Sequence, residues 1–326
     1  MKDKNTVNWG IIGLGNIAHL FAKELQMVDG AKLVAVASRS KDNAIAFADI
    51  YQCPKAYDTY EDIMNDDTID ILYIATPHDS HAELSLKALE NNKHVLCEKP
   101  IALRYQDAEK MIAASKKYNK FFMEAFWTRF NPSFREAFIK IQQGEIGKIR
   151  YINADFAFPA EEKKGNRMFD LKQGGGSLMD IGVYPLFLSY VILGIPDSIY
   201  AKSNFHSSGV DTQTSMILHY KEAQAVLYSG ISHTSNMEAT ISGTEGRINL
   251  SSNWHMTESY TLIKDNNETN YSLPTKGMGY TYEIEECHQC IRNNVIESNL
   301  WSHKNSLELI KIIDEVKNQV GLDFSI

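Results

Sequence analysis

The sequence predicts an α/β fold with two parts: an N-terminal, doubly wound parallel sheet, followed by an α+β part with a large, mostly antiparallel, open-faced sheet and helices. Strand-like and helix-like segments alternate over the first 123 residues, which is typical of βαβ units. A glycine-rich turn separates the first strand from the first helix. In the second half, strand-like segments follow one another with few helices between them, which favours antiparallel pairing.

Apolar runs that alternate with helical stripes define the elements of the N-terminal part. The predicted strands are Val7–Ile12, Lys32–Ala37, Ile69–Ala75, Lys93–Cys97 and Lys120–Met123. Ile17, Leu20, Phe21 and Leu25 lie on one helical stripe and predict the first helix. Further helices are predicted over Lys41–Tyr51, after the capping residue Thr59, and over Tyr105–Tyr118. Ser80 and Glu83 have the spacing of a capping box, which predicts a further helix after Ser80.

The second half of the chain is rich in strand-like segments. These segments are Ile149–Phe156, Ile199–Phe205, Thr212–Tyr220, Gln224–Ile231, Gly246–Leu250 and Met256–Ile263. Helical patterns interrupt them at Pro132–Gln143, Gly176–Leu193 and Tyr280–Asn293, and a last helix is predicted over Ser306–Val320. This order predicts one large, mainly antiparallel sheet with helices packed against it.

Composition excludes several classes of protein. The formal net charge of −8 argues against a general nucleic-acid-binding role, which needs a concentrated basic face. No apolar run reaches the ~18 residues that cross a bilayer, and the first residues lack a hydrophobic signal segment, so we expect a cytoplasmic protein. Four cysteines are no disulfide framework in a chain of 326 residues. We interpret Cys287 and Cys290 as thiols on a helix face, with a metal or redox pair as the alternative, and expect no metal site.

The segment between the first strand and the first helix has a dinucleotide-binding pattern. Gly13, Gly15 and Ala18 give the spacing G-x-G-x-x-A. Gly13 allows the tight turn, Gly15 lets the backbone approach a pyrophosphate, and Ala18 permits close packing of helix on strand. Because a helix N-terminus attracts anions, Asn16 and Ile17 are expected beside the phosphates. The alternative is a tight turn without a ligand, but the strand–turn–helix context favours a Rossmann domain.

The end of the second strand distinguishes NADP from NAD. An Asp or Glu at this position accepts hydrogen bonds from the ribose 2′-hydroxyl of NAD, whereas this chain has Ser38 and Arg39. A guanidinium with neighbouring hydroxyls suits a 2′-phosphate, which a carboxylate would repel. We therefore expect NADP as the cofactor, with NAD less favoured. The alternative is that Arg39 is a solvated charge that stacks on adenine without selecting between them.

Two further loops follow strands of the same sheet. Ligands of doubly wound sheets bind at the carboxyl ends of the strands. The candidate cofactor-binding residues in these loops are Thr76, Pro77, His78, His81, Glu98 and Lys99. Lys99, between an apolar strand and Pro100, is expected near the nicotinamide. Taken alone, it would be interpreted as a surface lysine at a strand end.

A glycine cluster precedes the second group of candidate catalytic residues. Gly174–Gly176 are followed by Asp180 and Tyr184, which are four residues apart. A helix places residues at this spacing on one face, and Pro185 would bend that helix. Taken alone, Tyr184 would be interpreted as a packed core tyrosine.

In combination these motifs resemble the glucose–fructose oxidoreductase and inositol dehydrogenase (Gfo/Idh/MocA) family. The segments that carry the resemblance are Val95-Leu-Cys-Glu-Lys-Pro100, Met123-Glu-Ala-Phe-Trp-Thr-Arg-Phe130, Asp180-Ile-Gly-Val-Tyr184 and Ser242-Gly-Thr-Glu-Gly246. The resemblance extends over essentially the whole chain. The chain is similar in particular to the branch of dimeric dihydrodiol dehydrogenases and NADP-dependent D-xylose dehydrogenases, which has Tyr where the wider family has His at position 184.

The resemblance implies an NADP-dependent dehydrogenase that acts on CH–OH groups. It implies hydride transfer between the nicotinamide and the carbinol carbon of a sugar, polyol or vicinal diol. Tyr184 would be the general acid/base, Lys99 its partner in proton transfer, and Asp180 would support the pair. We expect a Rossmann domain over residues 1–123 and a substrate-binding and dimerisation domain over 124–326, whose last helices pack back on the first. The resemblance also implies a homodimer, or a higher homo-oligomer, formed through the open sheet.

Four further residues are candidates for substrate binding. Trp127, Arg129 and Phe130 follow the last strand of the first domain. Aromatic rings there can lie against the apolar face of a substrate, and Arg129 can donate to its hydroxyls. The alternative for these three residues is packing alone. Arg167, in the loop before the glycines, is the weaker candidate.

Two other functions stay open at this point. The same fold serves in non-catalytic NADPH-binding sensors or regulatory subunits, although such a protein would not need Lys99, Asp180 and Tyr184 together. A reductase of dicarbonyls or keto-sugars would run the same chemistry in reverse. In each case we expect a small-molecule ligand and neither a nucleic acid nor a membrane as partner.

Overall fold

Parallel strands connected by helices organise the N-terminal part of the chain. The computed structural model describes residues 5–163 and 165–324. The first strands are β1 (Val7–Ile12), β2 (Ala31–Ala37), β3 (Ala56–Tyr57), β4 (Ile71–Ile74), β5 (His94–Glu98) and β6 (Phe122–Ala125). The helices among them are α1 (Asn16–Leu25), α2 (Lys41–Tyr51), α3 (Tyr60–Met64), α4 (His81–Glu90) and α5 (Tyr105–Tyr118). The strand order is β3-β2-β1-β4-β5-β6 with parallel neighbours, which confirms the predicted doubly wound sheet.

Local sequence explains where these elements form. All four residues of β4 are buried, as a central strand covered on both faces requires, and its sequence is correspondingly apolar. The Ser40 hydroxyl accepts a hydrogen bond from the main chain of Asn43 and begins α2. Thr59 does the same for α3 through the main chain of Asp62, as predicted.

The predicted capping box at the start of α4 is wrong. A 3₁₀ turn over His78–Ser80 precedes the helix, and the Ser80 side chain caps no main-chain N–H of α4. The Ser80 hydroxyl lies instead 2.8 Å from Thr76 Oγ1 and 2.9 Å from the Pro77 carbonyl oxygen, and it can donate its single proton to one of them. The Glu83 carboxylate pairs with Lys87 at 2.6 Å on the exposed face. The spacing was right for a cap, but the tighter turn directed both side chains elsewhere.

A second sheet occupies most of the remaining chain. Its strands are β7 (Ile149–Ala157), β8 (Ser198–Phe205), β9 (Asp211–Tyr220), β10 (Ala223–Gly230), β11 (Ala239–Gly243), β12 (Gly246–Leu250), β13 (Ser259–Lys264) and β14 (Asn267–Ser272). Their order is β14-β13-β12-β11-β7-β10-β9-β8. Strands β7 and β10 pair in parallel and the other neighbours pair antiparallel, which confirms the predicted, mostly antiparallel sheet. The sequence patterns missed β11, which is short, and β14, whose residues are polar.

Four helices accompany or follow this sheet. They are α6 (Pro132–Gln142), α7 (Val183–Leu193), α8 (Tyr280–Arg292) and α9 (His303–Val320). A π-helical turn, Leu178–Gly182, leads directly into α7. The stretch Leu171–Leu193 is long and apolar enough to cross a bilayer by length and composition, with an 18-residue window of mean hydropathy 1.5. Because 83% of that window is buried within the protein, we assign it to the core.

The chain divides into two compact units. The first comprises Met1–Trp127 and Lys276–Leu307, and the second comprises Thr128–Thr275 and Glu308–Ile326. Residues 276–307 thus belong to the first unit and residues 308–326 to the second, which a division into two consecutive stretches does not describe. The Glu24 carboxylate of α1 accepts hydrogen bonds from the main-chain N–H groups of Met278, Gly279 and Thr281, and so caps α8.

Helix α8 also carries Glu283, a fully buried carboxyl group of the first unit. Neither of its oxygens has a hydrogen-bond partner among the described residues. Burial, and secondarily the negative charges of Glu98 and Glu24, raise the pKa of Glu283 well above its usual range. The folded chain therefore favours the neutral acid at this position more strongly than the unfolded chain does.

Replacing Glu283 by Gln should stabilise the protein at alkaline pH. An unfolded glutamate has a pKa of ~4.3. The folded carboxyl has a raised pKa. Between the unfolded and the folded pKa, folding therefore requires proton uptake, and the wild type loses stability as the pH rises through this range. Glutamine mimics the neutral acid without this cost. The melting temperature of Glu283→Gln should exceed that of the wild type at pH 8, and the difference should shrink towards pH 5.

The control for this experiment is Glu285→Gln, at an exposed position of the same helix. Its difference from the wild type should not vary with pH in the same way. A Glu283→Gln protein that is less stable than the wild type by the same amount at pH 5 and pH 8 would contradict the assignment of a neutral carboxyl.

Candidate active site

The glycine turn after β1 leaves room for a dinucleotide. Gly13 has φ +87°, and a Cβ added to it would lie 2.8 Å from the main chain of Ala75, so only glycine fits there. A Cβ added to Gly15 would meet no atom within 4 Å, so the space in front of α1 is open. No side chain caps the first N–H groups of α1, which begins at Asn16. Open space before uncapped N–H groups suits a pyrophosphate.

The end of β2 presents Arg39 to solvent. Arg39 is exposed, and Ser38 beside it is half-buried. The Ser38 hydroxyl accepts a hydrogen bond from the Ser40 main chain at 3.2 Å. Burial raises the pKa of Tyr60, whereas the Arg39 guanidinium, which donates a hydrogen bond to its hydroxyl, opposes this rise. A guanidinium held by Tyr60 at the carboxyl end of β2 is suited to an anionic group on the adenosine ribose.

His81 joins the two loops that follow β4 and β5. It is fully buried. Its Nδ1 lies 2.9 Å from the Pro100 carbonyl and its Nε2 lies 2.9 Å from the Thr76 carbonyl. Because a neutral imidazole has only one N–H, it can donate to only one of these two acceptors. Each ring nitrogen thus faces a main-chain carbonyl oxygen, and this geometry favours an indirect role for His81 in cofactor binding. The His78 ring, which is also buried, lies 5.5 Å from the His81 ring.

Glu98 ends β5 with a fixed carboxylate. It is 6% exposed, and its two oxygens accept hydrogen bonds from the Tyr73 hydroxyl and from the Lys99 main chain. Burial, and then the charge of Glu98, raise the pKa of Tyr73 well above its usual range, so the phenol stays a donor. Lys99 itself is half-buried. The carboxyl end of β5 thus carries an oriented carboxylate followed by an ammonium.

In the second unit, Asp180 and Tyr184 lie on consecutive turns of one helix. Asp180 is within the π-helical turn, and Tyr184 is the second residue of α7. The Val183 main chain donates to the Leu178 carbonyl, which is the i→i+5 bond of a π-helix. Asp180 is 7% exposed and Tyr184 is 5% exposed.

The glycine cluster brings Arg167 to Asp180. The Gly176 main chain donates to the Met168 carbonyl at 2.9 Å, and a Cβ added to Gly175 would lie 2.4 Å from the Arg167 carbonyl. This close approach sets the turn that carries Arg167, whose Nη2 donates to Asp180 Oδ1 at 2.5 Å. The other terminal nitrogen of Arg167, Nη1, makes no hydrogen bond among the described residues. Nη1 is therefore a buried donor without a partner in the described part of the chain.

Two aromatic side chains that the sequence analysis missed pack around Tyr184. The Phe156 ring of β7 and the His255 ring each have their centroids 5.4 Å from that of Tyr184. Phe156 and His255 stack on each other at 4.3 Å. Phe156 belongs to an ordinary alternating strand and His255 follows a buried Trp254, so neither carries a local sequence signal. The result is a buried cluster of three aromatic rings that includes Tyr184.

Trp127, Arg129 and Phe130, which follow β6, have different surroundings in the structure. In the first unit, the Trp127 ring stacks on Tyr280 with centroids 4.9 Å apart. In the second unit, the Arg129 guanidinium lies 4.8 Å from the centre of the Phe138 ring. Phe130 is 1% exposed. A substrate role for Trp127, Arg129 and Phe130 stays a prediction.

Metal-binding chemistry has no counterpart among residues 5–163 and 165–324. No group of three or more His, Cys, Asp or Glu side chains in this part of the chain could hold a metal ion. Cys287 and Cys290 are buried and unbridged on α8. Burial raises the pKa of Cys290 to about 12, so this thiol stays protonated.

A doubly wound sheet with an open glycine turn, together with a Tyr–Asp helix in a second sheet-based unit, defines an NAD(P)-dependent oxidoreductase. Two family models match the chain. Residues 7–126 match the oxidoreductase family with an NAD-binding Rossmann fold, and residues 134–249 match the GFO/IDH/MocA C-terminal domain. The chain belongs to the Gfo/Idh/MocA family, which confirms the resemblance seen in its motifs.

Several relatives and solved structures are similar over nearly the full length. The trans-1,2-dihydrobenzene-1,2-diol dehydrogenase of Xenopus tropicalis is 36% identical over 97% of this chain and 98% of its own. The human enzyme of the same name is 30% identical over 98% of both chains. An aldose–aldose oxidoreductase of Caulobacter crescentus, solved with glycerol, has a TM-score of 0.89 at 23% identity, covering 97% and 98%. A 3-ketoreductase of Actinomadura kijaniata, solved with NADP and TDP-benzene, has a TM-score of 0.88 at 24% identity with the same coverage.

Proposed function

We propose that this protein is an NADP-dependent dehydrogenase that oxidises a secondary hydroxyl of a vicinal diol, polyol or sugar, with Tyr184 as the general acid/base. The observation that carries the proposal concerns Asp180 and Tyr184, which lie one helical turn apart. Asp180 is paired with Arg167, and two aromatic rings pack against Tyr184. A proton-transfer group must be held in position, and the packing of Phe156 and His255 against Tyr184, which is 5% exposed, supports this role.

Tyr184 would take the hydroxyl proton of the substrate during oxidation and return it during reduction. The bound cofactor accepts the hydride from the carbinol carbon, which becomes a carbonyl carbon. The Lys99 ammonium would stabilise the negative charge that develops on the substrate oxygen. Arg167 would contribute its unpaired Nη1 to a second substrate hydroxyl, with its other nitrogen held by Asp180. Two such oxygen contacts favour a substrate with adjacent hydroxyl groups.

The proposed substrate class, a ring with two neighbouring hydroxyls, is suggested by the polar groups of Tyr184 and Arg167 and by the aromatic rings near Tyr184. Phe156 and His255 offer apolar ring faces next to Tyr184. A flat carbon ring with two neighbouring hydroxyls would complement both parts of this surface. The names of the relatives at 36% and 30% identity, which refer to a dihydrobenzene diol, support this class.

NADP is the proposed cofactor because of the residues at the end of β2. Arg39 is exposed there and held by Tyr60, with the Ser38 and Ser40 hydroxyls beside it. The glycine turn and the N-terminus of α1 would hold the pyrophosphate. Glu98, fixed by Tyr73 and by its neighbour's main chain, would lie towards the nicotinamide at the carboxyl edge of the sheet.

Replacing Tyr184 by Phe should abolish most of the turnover while leaving the fold intact. With trans-1,2-dihydrobenzene-1,2-diol and NADP, kcat should fall by roughly 10²–10⁴, the usual contribution of a positioned proton-transfer group. The KM for NADP should stay within about twofold, because no cofactor contact is removed. Steady-state kinetics in both directions, with D-xylose and a dicarbonyl as further substrates, measure these values.

Tyr190→Phe is the matched control. Tyr190 lies on the same helix, is equally buried at 5% exposure, and donates a hydrogen bond to Glu308 at 2.7 Å. Loss of this hydrogen bond to a carboxylate should lower stability by up to about 1.5–3 kcal/mol without changing kcat. If Tyr184→Phe resembles Tyr190→Phe in both stability and turnover, Tyr184 is a packing residue and the proposed role is wrong. A protein that binds NADPH but turns over none of the substrates would instead favour a sensor.

Replacing Arg39 by Ala should weaken NADP much more than NAD. A hydrogen bond to a charged group contributes about 1.5–3 kcal/mol, so the KM for NADP should rise about 10- to 100-fold and that for NAD little. The control is Arg104→Ala, which removes an exposed guanidinium paired with Asp107 elsewhere in the same unit. Equal effects of Arg39→Ala on both cofactors would exclude a 2′-phosphate contact.

A homodimer through the outer face of the second sheet is also proposed. Val226 of β10, Ile217 of β9 and Tyr200 of β8 are neighbours in register, at 36%, 40% and 62% exposure. The alternate residues of these strands, such as Ala225 and Leu218, are buried on the other face. A row of exposed apolar side chains across three strands fits the same row of a second copy of this chain.

Introducing charge into this row should separate the subunits. The wild type should sediment as a dimer at micromolar concentration, and Ile217→Glu combined with Val226→Glu should be a monomer that still binds NADPH, as measured by analytical ultracentrifugation. Ile45→Glu, on α2 at 44% exposure, should stay dimeric. A monomeric wild type, or a double variant that stays dimeric, would refute this surface.

A further inference from the structure

A buried aspartate that the proposed chemistry does not use lies at the start of β9. Asp211 is fully buried, far from Asp180 and Tyr184 in sequence. Its Oδ2 accepts hydrogen bonds from three donors: the Ser177 hydroxyl at 2.6 Å, the Leu178 main chain at 2.8 Å and the Thr214 hydroxyl at 2.7 Å. Two of these donors belong to the segment that begins the π-helical turn.

The other oxygen of Asp211 faces the glycine cluster. Oδ1 has no hydrogen-bond donor among the described residues. A Cβ added to Gly176 would lie 2.2 Å from this oxygen, and Gly176 has φ +110°, a conformation that only glycine adopts without strain. Close contact between Gly176 and the carboxylate therefore brings the chain to the start of the helix in one defined direction.

The same junction is fixed from a neighbouring strand. The Ser177 hydroxyl also lies 3.1 Å from the Ser229 hydroxyl of β10. A Cβ added to Gly182, at the end of the π-helical turn, would lie 2.8 Å from that hydroxyl. The π-helical turn is thus anchored at its beginning by Asp211 and pressed against β10 at its end, with Asp180 between the two points.

We propose that Asp211 is a positioning residue that sets the π-helical turn and, through it, the directions of Asp180 and Tyr184. A π-helical turn rotates the residues after it relative to an α-helix, because it contains one extra residue per turn. Asp211 Oδ2 holds the Leu178 N–H group, the first of the π-helical turn, and the hydroxyl of the preceding Ser177. These two bonds fix the position of the extra residue along the chain. This inference rests on the proposed acid/base role of Tyr184.

Two single-hydroxyl variants separate positioning from stability. Ser177→Ala and Thr214→Val each remove one donor to the same oxygen of Asp211, and each donor has one further hydroxyl partner, Ser229 or Ser203. Ser177 belongs to the helix segment, whereas Thr214 belongs to β9 itself. Similar losses of melting temperature are expected. Only Ser177→Ala should lower kcat, by about 3- to 10-fold, with the KM for NADP within twofold, since a misplaced catalytic group slows the chemical step.

Substitution of Asp211 itself gives the larger effect and its rescue. Asp211→Ala should lower kcat by about 10- to 100-fold, the scale of a displacement of the order of 1 Å. Asp211→Asn should recover most of the activity, because its amide oxygen still accepts from Leu178 and Ser177. If Asp211→Ala does not fold, the Ser177 and Thr214 pair still decides the question.

Hydrogen exchange of the main chain over 177–183, in the full-length protein without ligand, tests the anchor independently of activity. Exchange should be faster in Ser177→Ala and Asp211→Ala than in Thr214→Val. Unchanged exchange would overturn the anchor, and faster exchange with unchanged kcat in Ser177→Ala would overturn its catalytic consequence. Full activity of Tyr184→Phe would instead overturn the proposed function, while the exchange rates would still report on the anchor.

Discussion

The parallel direction of the strands in the first sheet is the constraint on which the candidate cofactor site depends. Because neighbouring strands run the same way, their carboxyl ends lie along one edge, and every loop that follows a strand opens there. Four different strands contribute residues to this edge: the Gly13 turn follows β1, Arg39 follows β2, the Thr76 loop follows β4, and Glu98 ends β5. Helices on both faces make this pairing possible, since they cover the apolar side chains that parallel strands expose on both sides.

Buried carboxylates hold distant segments together in both units. Glu24 accepts N–H groups from residues more than 250 positions later and thereby begins α8. Asp211 accepts from the segment that begins the π-helical turn before α7. A buried carboxylate is costly unless hydrogen bonds satisfy it. Main-chain N–H groups at a helix start, which otherwise lack partners, provide all three bonds to Glu24 and one of the three bonds to Asp211.

Glu283 shows the opposite solution to the same problem. It has no donor among the described residues and two carboxylates nearby, so its protonated form is favoured. Tyr73 is kept protonated by the same surroundings and donates to Glu98. Glu98 can therefore lie at the carboxyl edge with a fixed orientation although acidic groups surround it.

The sequence by itself determined the features that depend on local spacing. The glycine turn, the strand–helix alternation, and the motifs around Lys99, Asp180 and Tyr184 each lie within a few residues, and they sufficed for the fold class and the family. Tertiary structure alone decided which distant groups meet. It placed Phe156 and His255 around Tyr184, set each ring nitrogen of His81 against a carbonyl oxygen, redirected Ser80 from its predicted cap, and joined Asp211 to the π-helical turn. These contacts depend on three-dimensional packing and strand register, which leave no periodic or short-range trace in the sequence, because each partner is chosen by position in space and not by spacing along the chain.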